Sequence, residues 1–341
     1  DNKRERAIEN NYFREDYRRA DFEEMGQVVY PPRVIETYTN ALLENWNTVA
    51  IRGRQPRLVL DYSSSAPGFF FSSTLDSLGV ETVSLSTFSR TRERFTLAQS
   101  LPPAAARVGE LVRAMEADLG AILDPGAEYL YIVDEKGDLV SDSALLLLLL
   151  QNAARQAGSG AAALPLHATR LGESVVASTG VSIRRTRCSK AALMAEAARP
   201  STIFAASTDG GYIYPSVLAC MDGLYALGKV LELVSLSDAP LSQSVAQVPV
   251  AHVAHLVSEC PWESKGTVMR LMTERLRDGR VSLVDGVKVF LDHSEWALVL
   301  PDAEEPLFHV YAEANAGCRA QELAEEYRRI LEDTILEARS A

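Results

Sequence analysis

Two histidines and a cysteine lie close together in the sequence, at a spacing that suggests a metal site. His252 and His255 are three residues apart, and Cys260 follows them. Imidazole nitrogens and thiolate sulfurs are the ligands that zinc prefers in proteins. A structural zinc site needs a second pair of ligands, and no second closely spaced pair follows. We therefore favour ordinary packing of these side chains over zinc binding.

A basic cluster could hold an anion. It is the run 184–190, with cations at Arg184, Arg185, Arg187 and Lys190. The run leads from a predicted strand into a predicted helix, so Lys190 and the free N–H groups of the first helical turn could bind a negative group. The alternative is a solvated basic turn that offsets the acidity of the chain, and the sequence favours that alternative.

These residues must be positioned by alternating strands and helices. Residues 57–61 read as a buried strand, 69–78 as a helix closed by Gly79, and 80–85 as the next strand. Strand, helix and strand within about thirty residues form a βαβ unit, which implies a parallel or mixed sheet. Six leucines, 145–150, predict a buried helix that Gly158 ends.

The order of elements predicts the fold class. A second strand–helix alternation follows the leucine helix, and the polar, proline-bearing stretch 237–249 marks a domain boundary. The remaining strands lie between two helices. We therefore predict an α/β protein, with two mixed-sheet α/β domains followed by a smaller α+β C-terminal domain.

Composition excludes several classes of protein. Of the 341 residues, 47% are hydrophobic and 23% charged, which is typical of globular domains. The longest apolar run, 144–150, is far shorter than the roughly 20 residues of a membrane span. A net charge of −12 repels nucleic acid and anionic membranes. The four cysteines are scattered and form no CxxC pair, which favours reduced thiols in a cytoplasmic protein.

Several motifs in the C-terminal part resemble one enzyme family. The stretches Asp285-Gly-Val-Lys-Val, 296–306 and Val310-Tyr-Ala-Glu-Ala314 resemble the last domain of the α-D-phosphohexomutases, the phosphomannomutase and phosphoglucomutase enzymes. In that family the patterns are D-G-[VI]-K, W-[VA]-L-V-R-P-S-[GN]-T-E-P and R-[VL]-Y-[VA]-E-A. Val133-Asp134-Glu135-Lys136-Gly137 and Asp222-Gly223 match earlier family motifs in the same order.

The resemblance implies the last three of four family domains. Residues 1–33 are then a connector from a missing first domain, which carries the family's phosphoserine nucleophile. The predicted second, third and C-terminal domains are 34–141, 142–249 and 250–341. The connector segment 13–20 is also similar to the mutase-like half of bacterial fusion proteins, whose other half is a mannose-1-phosphate guanylyltransferase-type nucleotidyltransferase.

The resemblance places a degenerate metal loop at 124–129. The family pattern is D-x-D-x-D-R, and intact members use magnesium there. Here only Asp124 is retained, Gly126 offers no side chain, Glu128 is longer than aspartate, and Tyr129 replaces the arginine. Magnesium takes oxygen ligands at short, fixed distances, so we expect no metal and no other cofactor.

The sugar-binding loop is degenerate as well. Thr208, Gly210 and Tyr212 stand at the positions of the family's glutamate, serine and histidine. Asp209 could replace the lost carboxylate after a shift of one residue. The alternative, which we favour, is a tight hairpin with Asp-Gly-Gly at its tip.

The phosphate-binding loop has its charge inverted. Leu300, Asp302 and Glu304 stand at the family's arginine, serine and threonine positions. A phosphate about 4 Å from one carboxylate meets a repulsion of roughly 4 kcal/mol per charge pair at an effective dielectric constant near 20. We expect no phosphate binding in this loop. Within the basic cluster, which aligns with a family R-T-x-x-G segment, Arg187 and Lys190 remain vestigial candidates for substrate binding.

Because no catalytic residue is intact, we expect a catalytically inactive mutase-like module. It would have a structural or regulatory role in a sugar-phosphate or nucleotide-sugar protein. The alternative is part of an active phosphomannomutase or phosphoglucomutase, an isomerase, whose serine domain lies upstream. A sugar-phosphate sensor that uses the cluster 184–190 is a third reading. The expected partners are the upstream region, a sugar phosphate and a second copy of the chain, with neither nucleic acid nor membrane.

Overall fold

A computed structural model describes residues 2–87, 97–277, 279–292 and 294–340. The chain divides into two units, Asp1–Tyr38 and Thr39–Ala341. The first unit contains helix α1 (Asn2–Phe13), a 3-10 turn at Phe22–Glu24 and the start of helix α2 (Val34–Asn45). Within it, Arg18 pairs with Glu24 at 2.6 Å. Of the predicted connector, Asp1 lies outside the described residues.

The second unit begins with a four-stranded sheet, here called the first sheet. Its strands are β1 (Arg57–Asp61), β2 (Glu81–Leu85), β3 (Leu119–Leu123) and β4 (Leu130–Val133). Their order is β2-β1-β3-β4, with β1 parallel to both neighbours and β4 antiparallel to β3. The accompanying helices are α3 (Thr48–Arg54), α4 (Phe71–Ser77) and α5 (Leu97–Ala114). The predicted βαβ unit is confirmed.

The second sheet repeats this arrangement. Its strands are β5 (Ser159–Pro165), β6 (Gly180–Thr186), β7 (Thr202–Ala206) and β8 (Tyr212–Ile213). Their order is β6-β5-β7-β8, again parallel except for the last strand. The helices of this part are α6 (Asp142–Ala157), α7 (Leu171–Val176), α8 (Lys190–Ala197), α9 (Gly223–Leu236) and α10 (Leu241–Ala246).

Helix α6 shows how the sequence specifies its own boundaries. The side chain of Ser141 accepts a hydrogen bond from the Ala144 N–H, which caps the first turn. Gly158 ends the helix with φ of 69°, a conformation in which a side chain would be strained. All six leucines between these caps are buried, as predicted, because the helix packs in the interior on more than one side.

The third sheet has five strands and is antiparallel. Its strands are β9 (His252–Glu259), β10 (Arg280–Ser282), β11 (Val287–Phe290), β12 (Trp296–Pro301) and β13 (Leu307–Ala314), in the order β10-β11-β12-β13-β9. Helices α11 (Lys265–Arg275) and α12 (Gly317–Ser340) complete this part. They pack on one face, where Val268, Leu323, Phe308 and Val310 are fully buried. The predicted fold class is confirmed, while the predicted domain boundaries stay a prediction.

Strand β9 was not predicted, and it determines where the side chains of His252 and His255 point. His252 and His255 are an odd number of residues apart on this strand, so their side chains leave opposite faces of the sheet. Within the described ranges, no three His, Cys, Asp or Glu side chains are grouped to hold a metal ion. The same ranges contain no helix that is both long and apolar enough to cross a membrane.

Candidate functional site

The loop 124–129, where the resemblance places the family's metal site, is folded around the side chain of Asp124. Oδ1 of Asp124 accepts hydrogen bonds of 2.8 Å from the N–H groups of Glu128 and Tyr129. Oδ2 accepts a bond of 3.0 Å from the Gly126 N–H. The single retained carboxylate therefore serves its own loop, and neither Gly126 nor Tyr129 supplies another. These residues do not fit a magnesium ion, which needs several oxygen ligands free to converge on it.

The basic cluster separates into structural and free cations. Arg184 pairs with Glu196 at 3.0 Å, and Arg185 pairs with Glu173 at 2.6 Å. Arg185 also donates to three backbone carbonyls in the turn that follows β5. Arg187 is exposed, and its side chain makes no hydrogen bond or ion pair with a described residue, while its carbonyl accepts a bond of 2.9 Å from the Thr186 hydroxyl. Only the second half of the cluster is thus available to a ligand.

Lys190 lies beside the former metal loop. Its Nζ is 4.7 Å from the centre of the Tyr129 ring, a cation–π contact. Lys190 is also the first residue of α8, whose first turn is capped by the Ser189 hydroxyl, which accepts from the Ala192 N–H. Because that hydroxyl already takes one terminal donor, the end of α8 has fewer free N–H groups for an anion than the sequence suggested.

The loop 207–211 is the tight hairpin that the sequence favoured. The Ser207 N–H donates to the Gly211 carbonyl at 2.8 Å, and the Gly211 N–H donates to the Ser207 hydroxyl at 3.0 Å. Gly210 has φ of 95°, which the tip of the turn requires. The Leu130 N–H donates to the Gly210 carbonyl at 2.9 Å, so this loop lies against β4 and the former metal loop.

Two side chains of the hairpin point into the protein. Thr208 Oγ1 lies 2.7 Å from Nε2 of His167. The carbonyl of Asp209 accepts a hydrogen bond of 2.9 Å from the Tyr131 hydroxyl, while Oδ1 of Asp209 is buried without a partner in the described part of the chain. Burial, and then the charge of Asp209, raise the pKa of Asp142 to about 6. Thr208 is already engaged, whereas Oδ1 of Asp209 still has an unused acceptor, so within this hairpin Asp209 is the side chain that could accept a hydrogen bond from a sugar hydroxyl.

The loop 300–306 is called here the former phosphate loop, because the resemblance places the family's phosphate site there. It is folded around the side chain of Asp302. Oδ1 of Asp302 accepts hydrogen bonds from the N–H groups of Glu304 at 2.7 Å and Glu305 at 2.6 Å. Oδ2 lies 2.8 Å from Nε2 of His309. Partial burial alone would raise the pKa of Asp302, but the bonds from His309 and the two N–H groups outweigh it and lower that pKa. Lys265 donates to the carbonyls of Asp302 and Glu305.

The other two positions of this loop point in opposite directions. Leu300 is 8% exposed and packs against Leu166, Trp296 and Leu298, between the second and third sheets. Glu304 is exposed to solvent. Leu300 is buried where the resemblance has an arginine, and Glu304 is an exposed carboxylate where it has a threonine. Neither side chain can donate a hydrogen bond to a phosphate.

Four aromatic rings form a row between the hairpin 207–211 and the former phosphate loop. This row, called here the imidazole row, consists of His167, Tyr311, His255 and His309. Tyr311 stacks on His167 with centroids 4.8 Å apart and on His255 with centroids 4.3 Å apart. Nε2 of His255 lies 2.9 Å from Nδ1 of His309. Through Thr208 at one end and Asp302 at the other, the row joins the hairpin 207–211 to the former phosphate loop.

Two histidines of the row have lowered pKa values. Burial lowers the pKa of His167 to about 3, with smaller contributions from His255 and Lys288. His255 is partly exposed to solvent; partial desolvation, with Tyr311 over one ring face, and then the adjacent His309 lower its pKa to about 4. Lys288 is buried between the same two sheets, where its Nζ donates to the Leu166 carbonyl at 2.6 Å and lies over the Trp296 ring. Burial, then Arg185, lower the pKa of Lys288 to about 7.

The structure therefore brings the predicted residues into two neighbourhoods. Lys190 and Asp209 lie near Tyr129 and Tyr131, and Thr208 and Asp302 lie at the ends of the imidazole row. Sequence reasoning missed the row itself. One signal was present: His309 stands where the family pattern R-[VL]-Y has its arginine, immediately before Val310 and Tyr311.

Comparisons with known proteins find similarity to mutases in both sequence and fold. Residues 36–137 match the family model "phosphoglucomutase/phosphomannomutase, alpha/beta/alpha domain II". A "probable phosphoglucosamine mutase" of Methanopyrus kandleri is 29% identical over 321 residues, which are 94% of this chain and 70% of that protein. A phosphoglucomutase/phosphomannomutase family protein from Burkholderia thailandensis has the same fold, with a TM-score of 0.75 at 18% identity.

The match to solved structures is partial in length. The chain is covered to 88% by the Burkholderia protein but spans 64% of it, less than two thirds. An Aspergillus fumigatus N-acetylphosphoglucosamine mutase, solved in complex with GlcNAc-6P and magnesium, matches 88% of this chain and 69% of its own, with a TM-score of 0.60 at 12% identity. At these identities the solved structures establish the fold alone.

Proposed function

Because the chain belongs to the phosphohexomutase superfamily, we propose that it is a mutase-like module that does not transfer phosphoryl groups. Its role is structural or regulatory, within a protein that handles sugar phosphates or nucleotide sugars. The observation that carries this proposal is the carboxylate of Asp302, which takes up two backbone N–H donors and His309 in the former phosphate loop. Backbone N–H groups of this kind are what a bound phosphate would need.

A phosphate group cannot share those donors with Asp302. At about 4 Å from the carboxylate it would meet a repulsion of roughly 4 kcal/mol per charge pair, at an effective dielectric constant near 20. Displacing the carboxylate instead would break its hydrogen bonds and its contact with His309. Phosphoryl transfer depends mainly on positioning and on neutralising charge, so a loop that repels phosphate removes the main source of catalysis.

The other two loops support the proposal independently. Asp124 is held by three N–H groups of its own loop, which leaves no ligand set for magnesium. Thr208, at the position of the family's sugar-binding glutamate, is engaged with His167. Asp124, Thr208 and Asp302 are thus each engaged with other groups of the protein, which we expect of a domain that keeps a fold while losing a reaction.

The regulatory form of the proposal needs a ligand, and the chain offers one place for it. The Arg187 side chain and Oδ1 of Asp209 have no partner within the described residues, and Lys190, three positions after Arg187 in the chain, contacts the Tyr129 ring. An arginine and a lysine suit a phosphate, and a carboxylate suits sugar hydroxyls. A sugar phosphate bound here would be sensed without being rearranged.

The partners of such a module remain a proposal. We expect it to work with an upstream region, either the family's serine domain or a mannose-1-phosphate guanylyltransferase-type nucleotidyltransferase. A second copy of the chain is a further partner that we propose. The four cysteines are free thiols, and on that ground we propose a reducing, cytoplasmic location.

The alternative is a working mutase whose serine domain lies upstream. It is favoured by one observation: the relative named "probable phosphoglucosamine mutase" aligns with 94% of this chain and 70% of its own length. In that case the reaction would use a phosphate contact other than the loop 302–306.

The deciding experiment is a mutase assay on the full-length protein, with whatever segment precedes Asp1. Glucosamine 1-phosphate, mannose 1-phosphate and glucose 1-phosphate are tested with magnesium and a bisphosphate activator. We expect no turnover above a sample without enzyme. The same protein carrying Asp302→Ala serves as the matched control. Turnover that grows with protein concentration would establish the alternative, and equal turnover by the two proteins would agree with a phosphate contact outside the loop 302–306.

A further inference from the structure

A cavity of about 310 Å³ lies on the side of the third sheet away from the former phosphate loop. Its polar lining comes from Arg170, His252, Ser294, Glu313 and Asn315. Arg170 precedes α7 in the second sheet's part of the chain, whereas the other four belong to the third sheet's part. The cavity therefore lies between these two parts, at the ends of β9 and β13.

Two basic side chains line this cavity, and neither forms an ion pair with a described residue. Asp292, at the rim, is near enough for the charge of Arg170 to help lower its pKa, after the hydrogen bonds from Ser294 and Glu295. Nη1 of Arg170 is buried and has no hydrogen-bond partner among the described residues. A buried guanidinium nitrogen with an unused donor is costly, because it has lost its water without gaining an acceptor. An acceptor in the cavity would remove that cost.

The one carboxylate of the lining is already satisfied. Glu313 is 5% exposed and accepts hydrogen bonds from the Thr169 hydroxyl, the Arg170 N–H and the Trp296 indole N–H. Its contact with Arg170 is to the backbone of that residue, and the guanidinium stays unpaired. Glu313 thus lines the cavity and fixes the turn before α7 through its hydrogen bonds with Thr169 and the Arg170 N–H. The guanidinium of Arg170 is not paired with this carboxylate.

A further donor is fixed at the rim. Nδ2 of Asn315 donates to the Ser294 hydroxyl at 2.8 Å, and that hydroxyl donates to Asp292 at 2.9 Å. An amide nitrogen carries two hydrogens, so one remains for a ligand. Arg170, Asn315 and His252 then surround a single space with donors of hydrogen bonds.

We propose that this cavity binds a compact oxyanion, such as phosphate, sulfate or the carboxylate of a small acid. Arg170 supplies the charge and a fork of parallel donors, which match two oxygens of such a group. Asn315 and His252 add one contact each. The anion would bridge the turn before α7 and the third sheet, and would hold these two parts of the chain together.

The proposed site is separate from the former phosphate loop. Trp296 and Glu313 face each other at one end of the β12–β13 pair, and Pro301 and Phe308 face each other at the other. Five residue steps along a strand correspond to roughly 16 Å. Neither the presence nor the absence of mutase activity bears on this proposal.

The test is calorimetric titration of the 341-residue chain with phosphate, sulfate and acetate, each against chloride at equal ionic strength. We expect saturable binding of at least one of them, and about tenfold weaker binding by Arg170→Gln, since one charge-assisted contact is lost. The comparison of phosphate and sulfate with acetate shows which oxyanion the site prefers. The matched control is Arg270→Gln, which removes an exposed arginine that pairs with Glu274 at 2.9 Å, outside both proposed sites, and should leave the affinity unchanged.

Folding of the variant is checked separately. In anion-free buffer the melting temperature of Arg170→Gln should be equal to that of the parent or higher, because a buried unpaired charge is removed. His252→Gln should weaken binding by a smaller factor and provides a second reading. The proposal is overturned if no anion binds saturably, or if the affinity survives Arg170→Gln.

Discussion

Nε2 of His309 lies 2.8 Å from a carboxylate oxygen of Asp302, seven residues earlier in the chain. An ionised carboxylate can only accept, so the proton of a neutral His309 is on Nε2. Its Nδ1 is then an acceptor, and it faces Nε2 of His255 at 2.9 Å. One aspartate thereby fixes the tautomers of two histidines and the orientation of the imidazole row.

The first prediction concerns the former phosphate loop. Asp302→Ser with Glu304→Thr removes two anions and frees the N–H groups of Glu304 and Glu305. Charge-assisted contacts contribute about 1.5–3 kcal/mol each, so the double variant should bind a hexose 1-phosphate measurably. Titration calorimetry on parent and variant measures the difference. Equal affinities would contradict our account of this loop.

Adding Leu300→Arg to that variant tests a second point. The substitution restores the family's cation, but Leu300 is packed between two sheets against Trp296 and Leu298. Burying a charge among these side chains should lower the free energy of unfolding by several kcal/mol. We therefore expect the triple variant to melt at a lower temperature than the double variant. A triple variant as stable as the double one would show that the arginine finds solvent.

The second prediction concerns the loop 124–129. Mn²⁺ at about millimolar concentration should not bind there, since one carboxylate engaged with backbone donors is a poor ligand set. Asp124→Ala should instead lower the free energy of unfolding by about 1–3 kcal/mol, with or without magnesium, because three N–H groups lose their acceptor. Denaturant unfolding with and without the ion checks both statements. An unfolding midpoint that rises with Mn²⁺ in the parent and not in Asp124→Ala would refute them.

The third prediction concerns acid. His167 and His255 have pKa values of about 3 and about 4 in the folded protein, against about 6.5 when unfolded. As the pH falls below about 6.5, the unfolded chain binds protons that the folded one refuses, so the free energy of unfolding should decrease. Lys288 and Arg185 are positive groups near the row, and Asp302 is a negative group at its end.

Two glutamine variants separate this effect from general acid unfolding. His255→Gln should show a shallower loss of stability between about pH 6.5 and pH 4, because the residue can no longer be protonated. His167→Gln should flatten the profile as well, because the pKa of His167 is lowered further, to about 3. Identical pH profiles for all three proteins would count against the burial of charge in the row.

The fourth prediction concerns Lys288. Its pKa is about 7 in the folded protein and about 10.4 when unfolded, so stability should rise with pH between these values, where the unfolded chain holds more protons. Lys288→Met should remove this rise and keep the contact with Trp296 apolar. Unfolding midpoints from pH 7 to pH 10 measure both slopes. A parent protein whose stability is flat in this range would contradict the prediction.

Local signals in the sequence were sufficient for most of the fold. The six leucines and Gly158 predicted α6, and the strand–helix–strand order of residues 57–85 predicted the first βαβ unit. Strand β9 was missed because His252 and His255 interrupt the alternation of apolar and polar residues that indicates a strand. Its pairing with β13 is a long-range choice that no local pattern records.

The site was predictable only as far as individual loops. Substitutions at Asp124, Thr208 and Asp302 could be judged one at a time from residue type. The imidazole row could not, because it unites residues from β9, β13 and the turn after β5, and depends on the packing of two sheets. The buried, unpaired guanidinium of Arg170 was likewise invisible, since burial and the absence of a partner are properties of the fold.

The meeting of the first two sheets has a consequence for aggregation. Strands β4 and β8 are both edge strands, and they approach each other through a bridge between Tyr129 and Gly211 and the bond from Leu130 to Gly210. Each edge thus shields the other from pairing with a foreign strand. A fragment that ends near residue 141 would leave β4, four buried apolar residues long, as an open template. Such a fragment should self-associate even though its own sheet is complete.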